Sequence, residues 1–195
     1  MESHLLPRIC AYLIDVILIS LVISLVTAWI PQSEKYKQAL EREEKIVEQV
    51  NKGEIKLDDV YKEYLEINYT IDKERMIVSL VTAVATLGYF ATFAYYNDGK
   101  TIGKKLMHIK VTSDNGEELT HNQMFLRTLL VQGVLTSIIS MTLLTFIDSS
   151  QYVWVNTVQM IQSFIIIVTI FMVIFRKDKK GLHDILFKTK VISTK

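Results

Sequence analysis

Uncharged stretches alternate with densely charged ones along the chain, and four of the apolar runs are long enough to cross a bilayer. They cover residues 9–30, 76–96, 124–147 and 153–175. A hydrocarbon core of about 30 Å takes about 20 helical residues, and each run meets that length. Leu, Ile, Val and Phe stand all round these runs, whereas a helix of a soluble bundle keeps a polar face. Trp29, the pair Tyr95 and Tyr96, and Tyr152 with Trp154 lie at their ends, as in the interfacial belts of membrane helices. The pattern predicts an all-α membrane protein with four transmembrane helices.

The polar links differ in character. The first, residues 32–74, predicts a helical hairpin inserted between helices 1 and 2. Ser33 is placed to cap its first helix, and Asn51-Lys52-Gly53 to stop it. Tyr36, Leu40, Val47 and Val50 give that helix one apolar stripe. A second, shorter helix is expected from Asp58 or Asp59 through Tyr61, Tyr64 and Leu65. The link between helices 2 and 3 opens on Asn97-Asp98-Gly99, a helix breaker. It continues as a short amphipathic segment carrying Ile102, Leu106 and Met107, then alternates like a strand over 108–112 and turns at Asp114-Asn115-Gly116.

Lys and Arg set the orientation. The link between helices 2 and 3 carries Lys100, Lys104, Lys105 and Lys110, and the tail after Phe175 carries Arg176, Lys177, Lys179, Lys180, Lys188, Lys190 and Lys195, while the link around Asp148 has no basic residue. The positive-inside rule puts both termini and the middle link in the cytoplasm. The hairpin, with 12 acidic and 8 basic residues over 31–74, then lies outside the cytoplasm. The whole chain, 1–195, reads as one membrane domain with 32–74 as an extracytoplasmic insertion.

Composition narrows the chemistry. Of 195 residues half are hydrophobic and 22% are charged, with one cysteine and four histidines. Cys10 alone excludes an internal disulfide, and the scattered His form no metal-ligand set. The first run is longer than a signal-peptide core and lacks a small-residue cleavage site. No nucleophile–base pair stands out, so an enzyme is not expected, and neither a cofactor nor a nucleic-acid partner is implied. The lipid bilayer is the expected partner, with a homo-oligomer or a membrane or envelope protein as further ones. The glycines and lysines of 99–105 do not make a phosphate loop, because Gly99 and Gly103 are one residue too close and Lys105 replaces the Ser or Thr such a loop needs.

Charges inside or beside the membrane helices are the candidates for function. An acid at a membrane-helix centre costs about 2.5–3.5 kcal/mol on insertion scales, so Asp15 needs a partner or a task. Arg8, Tyr12 and Asp15 share a helix face. Arg127 enters the third helix at a similar shallow depth, and the tail returns His183 and Asp184 to the same surface. Arg8, Asp15, Arg127 and Asp184 are therefore expected to meet. Three uses stand open: a staple for helix packing, a cation or proton path, or a site for an anionic headgroup or solute at Arg8 and Arg127. Polar stripes at Ser79/Thr82/Thr86, Thr128/Gln132/Thr136/Ser140 and Asn156/Gln159/Ser163 are read first as helix contacts.

These residues resemble the RDD family of bacterial membrane proteins, named for one Arg and two Asp. Arg8 and Asp15 match in Pro-Arg-Ile-Cys-Ala-Tyr-Leu-Ile-Asp, and Asp184 in Gly-Leu-His-Asp. Gly99, Thr101, Gly103 and Lys104 match the family's Gly-x-Thr-x-Gly-Lys stretch, and Arg127 the Arg of the third helix. Four spans and a long outer hairpin exceed the compact family core. The resemblance implies a bacterial inner-membrane location and suspected transport of a small solute or cation, with cation/proton exchange in some relatives. The other expectation is a non-transporting accessory subunit that binds an envelope or membrane partner through its hairpin.

Overall fold

A computed structural model describes residues 4–53, 55 and 57–194. The first span, α1 (Leu5–Thr27), is a single helix with Ala11 and Asp15 as its buried residues. The hairpin follows as α2 (Glu34–Asn51) and α3 (Leu57–Glu74). Ser33 caps α2 by accepting the Tyr36 amide at 3.1 Å, and Gly53 turns the chain at a φ of +70°. The stripe that α2 buries is Tyr36, Ala39 and Ile46, of which Ala39 and Ile46 pack with Val60 and Ile67 of α3 while the Tyr36 hydroxyl accepts from Arg75. Leu40 and Val47, expected in that stripe, flank it and stay exposed. The α3 helix is longer than expected. Its hydrogen-bond ladder runs on through Arg75, whose carbonyl accepts Ser79 N, into the second span. Side chains at the expected start, Asp58 and Asp59, lie outside the described residues.

The second span comprises α4 (Met76–Leu87), a π-helical segment (Gly88–Phe93) and the short α5 (Ala94–Tyr96). After it come α6 (Ile102–Leu106), which leaves Ile102 and Leu106 exposed, and β1 (Ile109–Ser113). The third run is not the continuous helix expected over 124–147. It is broken into α7 (His121–Val131) and α8 (Val134–Phe146), bent by 62°. Gly133 causes the break, because its φ of +67° belongs to the left-handed region, which Gly adopts without strain. The fourth span, α9 (Val153–Phe175), follows a short 3-10 turn. The tail forms α10 (Leu182–Leu186) and β2 (Thr189–Ser193).

Three helices are long and apolar enough to cross a membrane, and four spans result if the bent pair counts as one. The chain is thus mostly helical but not all-α, since β1 and β2 pair antiparallel, with Val111 opposite Val191 at the centre. The hairpin and the sheet lie at opposite ends of the bundle. At the hairpin end Tyr69 donates to the Ile147 carbonyl, and Tyr152 donates to Asp72 at 2.6 Å. At the other end Arg8 donates to the Val191 carbonyl and Gln123 to that of Phe187.

The sheet exposes a repeat. Helix α6 and strand β1 recur 80 residues later as α10 and β2, with the same lengths. His108 and Lys188, the repeat-related residues before each strand, share a φ of +53° and +52°. Hydrogen bonds follow the same relation: Asp114 N donates to the Lys188 carbonyl, and Thr194 N to that of His108, both at 2.8 Å. The central pair, Val111 and Val191, is itself repeat-related, so an approximate two-fold axis passes between them.

Candidate functional site

The charged residues separate into two centres. Asp15 leaves α1 toward the start of α6 and accepts three hydrogen bonds there. Thr101 Oγ1 donates to Oδ2 at 2.5 Å, Tyr89 Oη to Oδ1 at 2.6 Å and Gly103 N to Oδ1 at 2.7 Å. The donors are themselves tied in. Tyr89 accepts from Ile102 N, and Thr101 caps α6 by accepting from Lys104 N. Tyr89 stands on the π-helical segment, a distortion frequent at functional sites. A side chain on residue 103 would put its Cβ 2.2 Å from the Ala11 carbonyl and 2.9 Å from the Asp15 carboxyl, so only Gly lets α6 approach this closely. Gly99 fixes the preceding turn, its N donating to Ala94 O and its carbonyl accepting from Val111 N.

The second centre is Asp184, almost wholly buried at the start of α10. Arg127 of α7 pairs with its Oδ1, and Arg8 of α1 lies 3.7 Å from Oδ2. Thr189 donates to Oδ1 and accepts from Arg127, while Gly181 N donates to Oδ2. Burial by itself raises a carboxyl, but Arg127 overrides it and holds Asp184 down to about 2. His183 is buried beside it, with Nε2 3.4 Å from Oδ2. Desolvation first, and then repulsion by Arg127, lower that imidazole to about 3, so it is neutral at ordinary pH.

Arg8, Arg127 and Asp184 therefore meet as expected, with His183 against them. Asp15 does not join them, because hydroxyl and amide donors already occupy both its oxygens. Tyr89 and Thr189 were not signalled by the pattern, being single hydroxyls with no charge or spacing to mark them. Tyr12 is half-exposed and borders the space between the centres.

That space is a cavity of about 430 Å3 between the spans. Its polar wall has Arg8, Asp15, Lys104, Arg127 and His183, and its apolar wall includes Met124, Ile166, Ile170 and Val173. Lys104 is half-buried, and desolvation first, then Arg127, lower its ammonium to about 8. Among the described residues the His, Cys, Asp and Glu side chains form no group able to hold a metal ion.

The polar stripes behave differently from one another. Thr82 and Thr128 bond back to carbonyls of their own helices, Val78 and Met124. Gln162 joins α9 to the broken third span: its Nε2 donates to the Leu130 carbonyl at 3.1 Å, and Thr136 of the third-helix stripe donates to its Oε1 at 3.5 Å, a helix contact as expected. Gln159 and Ser163 face outward along a groove instead of packing inside the bundle.

No curated protein and no solved structure matches the chain. The model described as "RDD family" matches residues 3–188, a span that takes in α1 with Arg8 and Asp15, Thr101 to Lys104, Arg127 and Asp184; the chain belongs to the RDD family of membrane proteins.

Proposed function

We propose that this membrane protein carries a small charged solute across the bilayer through the cavity at the charged end of its bundle. One observation supports the reading: ionisable groups of Arg8, Asp15, Lys104, Arg127 and His183 converge on a mainly apolar space of ligand size. The break between α7 and α8 fits it, since broken membrane helices are tolerated where they border a cavity or are buried in protein. Around the cavity stand three cations, Arg8, Lys104 and Arg127, against two carboxylates, Asp15 and Asp184, so an anion is the favoured solute. Cation/proton exchange is the second reading, and it rests on Asp15, a carboxylate on the cavity wall. By the positive-inside rule the sheet and both termini face the cytoplasm of a bacterial inner membrane, and the hairpin projects to the other side.

The test uses proteoliposomes with a trapped pH-sensitive dye. They are challenged with gradients of sodium, potassium, inorganic phosphate and a short-chain acyl glycerol phosphate. The expected result is a pH change driven by an anionic member of the set and lost in Asp15→Asn. A change driven by sodium or potassium selects the second reading. No change under any gradient overturns transport, and the same change in Asp15→Asn overturns the part given to Asp15.

A further inference from the structure

The two repeats differ in charge at one place. Eighty residues separate Asp184 from Lys104, and both stand at the third position of the short helix before each strand. In the second repeat the acid faces Arg127 and Arg8. In the first repeat the equivalent side chain is a cation. No carboxylate among the described residues lies within ion-pair distance of Lys104, and Asp15 is already held by Tyr89, Thr101 and Gly103. With His183 neutral, the groups bordering the cavity and their paired acid, Asp184, carry one positive charge in excess.

A desolvated cation is costly unless paired, and its place here is on the wall of a cavity. Burial first and Arg127 next lower the Lys104 ammonium to about 8 against the smaller pull of Asp15 and Asp184, and an anion beside it would reverse the shift. His183 Nδ1, also buried, has no hydrogen-bond partner among the described residues. The apolar part of the lining has a different need. Met124, Ile166, Ile170 and Val173 offer an apolar surface that a hydrated ion cannot use.

We infer that the ligand of this cavity is an anionic amphiphile, with a single phosphate or carboxylate head at Lys104 and one apolar chain along α9. This rests on the preceding reading only in taking the cavity as the place where the solute binds. The volume of about 430 Å3 falls within the ~300–1,000 Å3 of small-molecule sites, which suits a single chain. A free fatty acid and a lysophospholipid share this chemistry and differ in their heads.

The test is binding to the purified full chain in detergent, with four probes: oleate, oleoyl lysophosphatidic acid, oleoyl lysophosphatidylcholine and inorganic phosphate. Oleate and lysophosphatidic acid are expected to bind saturably, and their ratio shows which head is preferred. The zwitterionic lipid is expected to bind about tenfold more weakly or worse, and phosphate not at all at millimolar concentration. Lys104→Gln is expected to weaken the anionic probes by about tenfold or more, and Lys104→Arg to retain them. Thr169 also lines the cavity from α9, between Ile166 and Ile170 in the chain, and Thr169→Phe, which leaves the charges alone and adds bulk there, is expected to block both. Equal binding of the zwitterionic lipid, unchanged affinity in Lys104→Gln and Thr169→Phe, or saturable phosphate binding overturns the inference. So does the absence of binding by all four probes. Flux of phosphate or sodium without amphiphile binding leaves transport standing and removes this inference; amphiphile binding without any flux does the reverse.

Discussion

Thr101 and Asp15, 86 residues apart in the chain, are joined by a 2.5 Å hydrogen bond that fastens the start of α6 to the middle of the first span. Tyr89 and Gly103 N add their bonds to the same carboxylate. Asp15→Ala strands three buried or half-buried donors, each costing about 1–3 kcal/mol when unpaired. Asp15→Asn keeps one acceptor and turns an amide toward the remaining donors. Thermal unfolding in detergent is expected to rank wild type above Thr101→Val, then Asp15→Asn, then Asp15→Ala. An unchanged midpoint in Asp15→Ala would show that the three bonds do not hold α6.

Gly103→Ala tests the close approach without touching a charge. The added Cβ meets the Ala11 carbonyl, which belongs to backbone and cannot swing aside. Overpacking of this kind costs about 1–3 kcal/mol. Hydrogen exchange at α6 and β1 is expected to rise, with the hairpin α2–α3 unaffected.

The Asp184 centre predicts a pH dependence of stability. His183 is lowered from 6.5 to about 3, so between those values the unfolded chain binds a proton that the folded one refuses. Stability therefore falls as pH drops below about 6.5, with a slope reaching about 1.4 kcal/mol per pH unit for one group. Asp184, lowered from 3.8 to about 2, adds a further loss as the pH falls through that lower range. His183→Asn is expected to flatten the curve between pH 6.5 and 4 while leaving the steep loss below it. An identical curve in the variant would assign the loss elsewhere.

Gln162→Leu is expected to destabilise the chain by about 1–3 kcal/mol, since it leaves the Leu130 carbonyl unpaired where the third span breaks. Gly133→Ala forces a side chain into the left-handed region, at about 1–2 kcal/mol. Because the two changes act on one bend, the double variant is expected to cost less than the sum. Additive losses in unfolding experiments would argue that the bend and the glutamine act separately.

Orientation is checked by cysteine labelling in a Cys10→Ala background. Gly53→Cys at the hairpin tip and Asp114→Cys beside the sheet lie at opposite ends of the bundle. An impermeant reagent added outside intact cells is expected to label position 53 and to reach 114 only after permeabilisation. The reverse pattern would invert the proposed topology.

The spans, the Ser33 cap, α6, β1 and the meeting of Arg8, Arg127 and Asp184 were legible from pattern, because hydrophobic length, capping chemistry and buried charge each leave a local mark. The break at Gly133 was not, since a lone Gly in an apolar run is equally compatible with a continuous helix, and its left-handed φ shows only in the folded chain. Strand β2 was hidden for a related reason. Five residues of a basic tail make a strand only when β1 is there to pair with. The repeat was faint as well, for the two copies share only Asp98/Asp178, Lys100/Lys180, Leu106/Leu186, Lys110/Lys190, Val111/Val191 and Ser113/Ser193, with no identical run longer than two residues. Asp15 was marked as costly, but nothing in the pattern tied it to its partners: Tyr89 is an uncharged residue inside an apolar run, and Thr101 and Gly103 were named only through the family resemblance.

The pairing of Val111 with Val191 has a consequence for how such a chain is put together. A contact whose centre joins equivalent residues is isologous, and it would close equally well between two copies of one two-span unit. Two identical copies would be bound to carry the same residue at the same place. A single polypeptide is free of that constraint, and here the two halves differ at equivalent positions, one carrying Lys104 and the other Asp184.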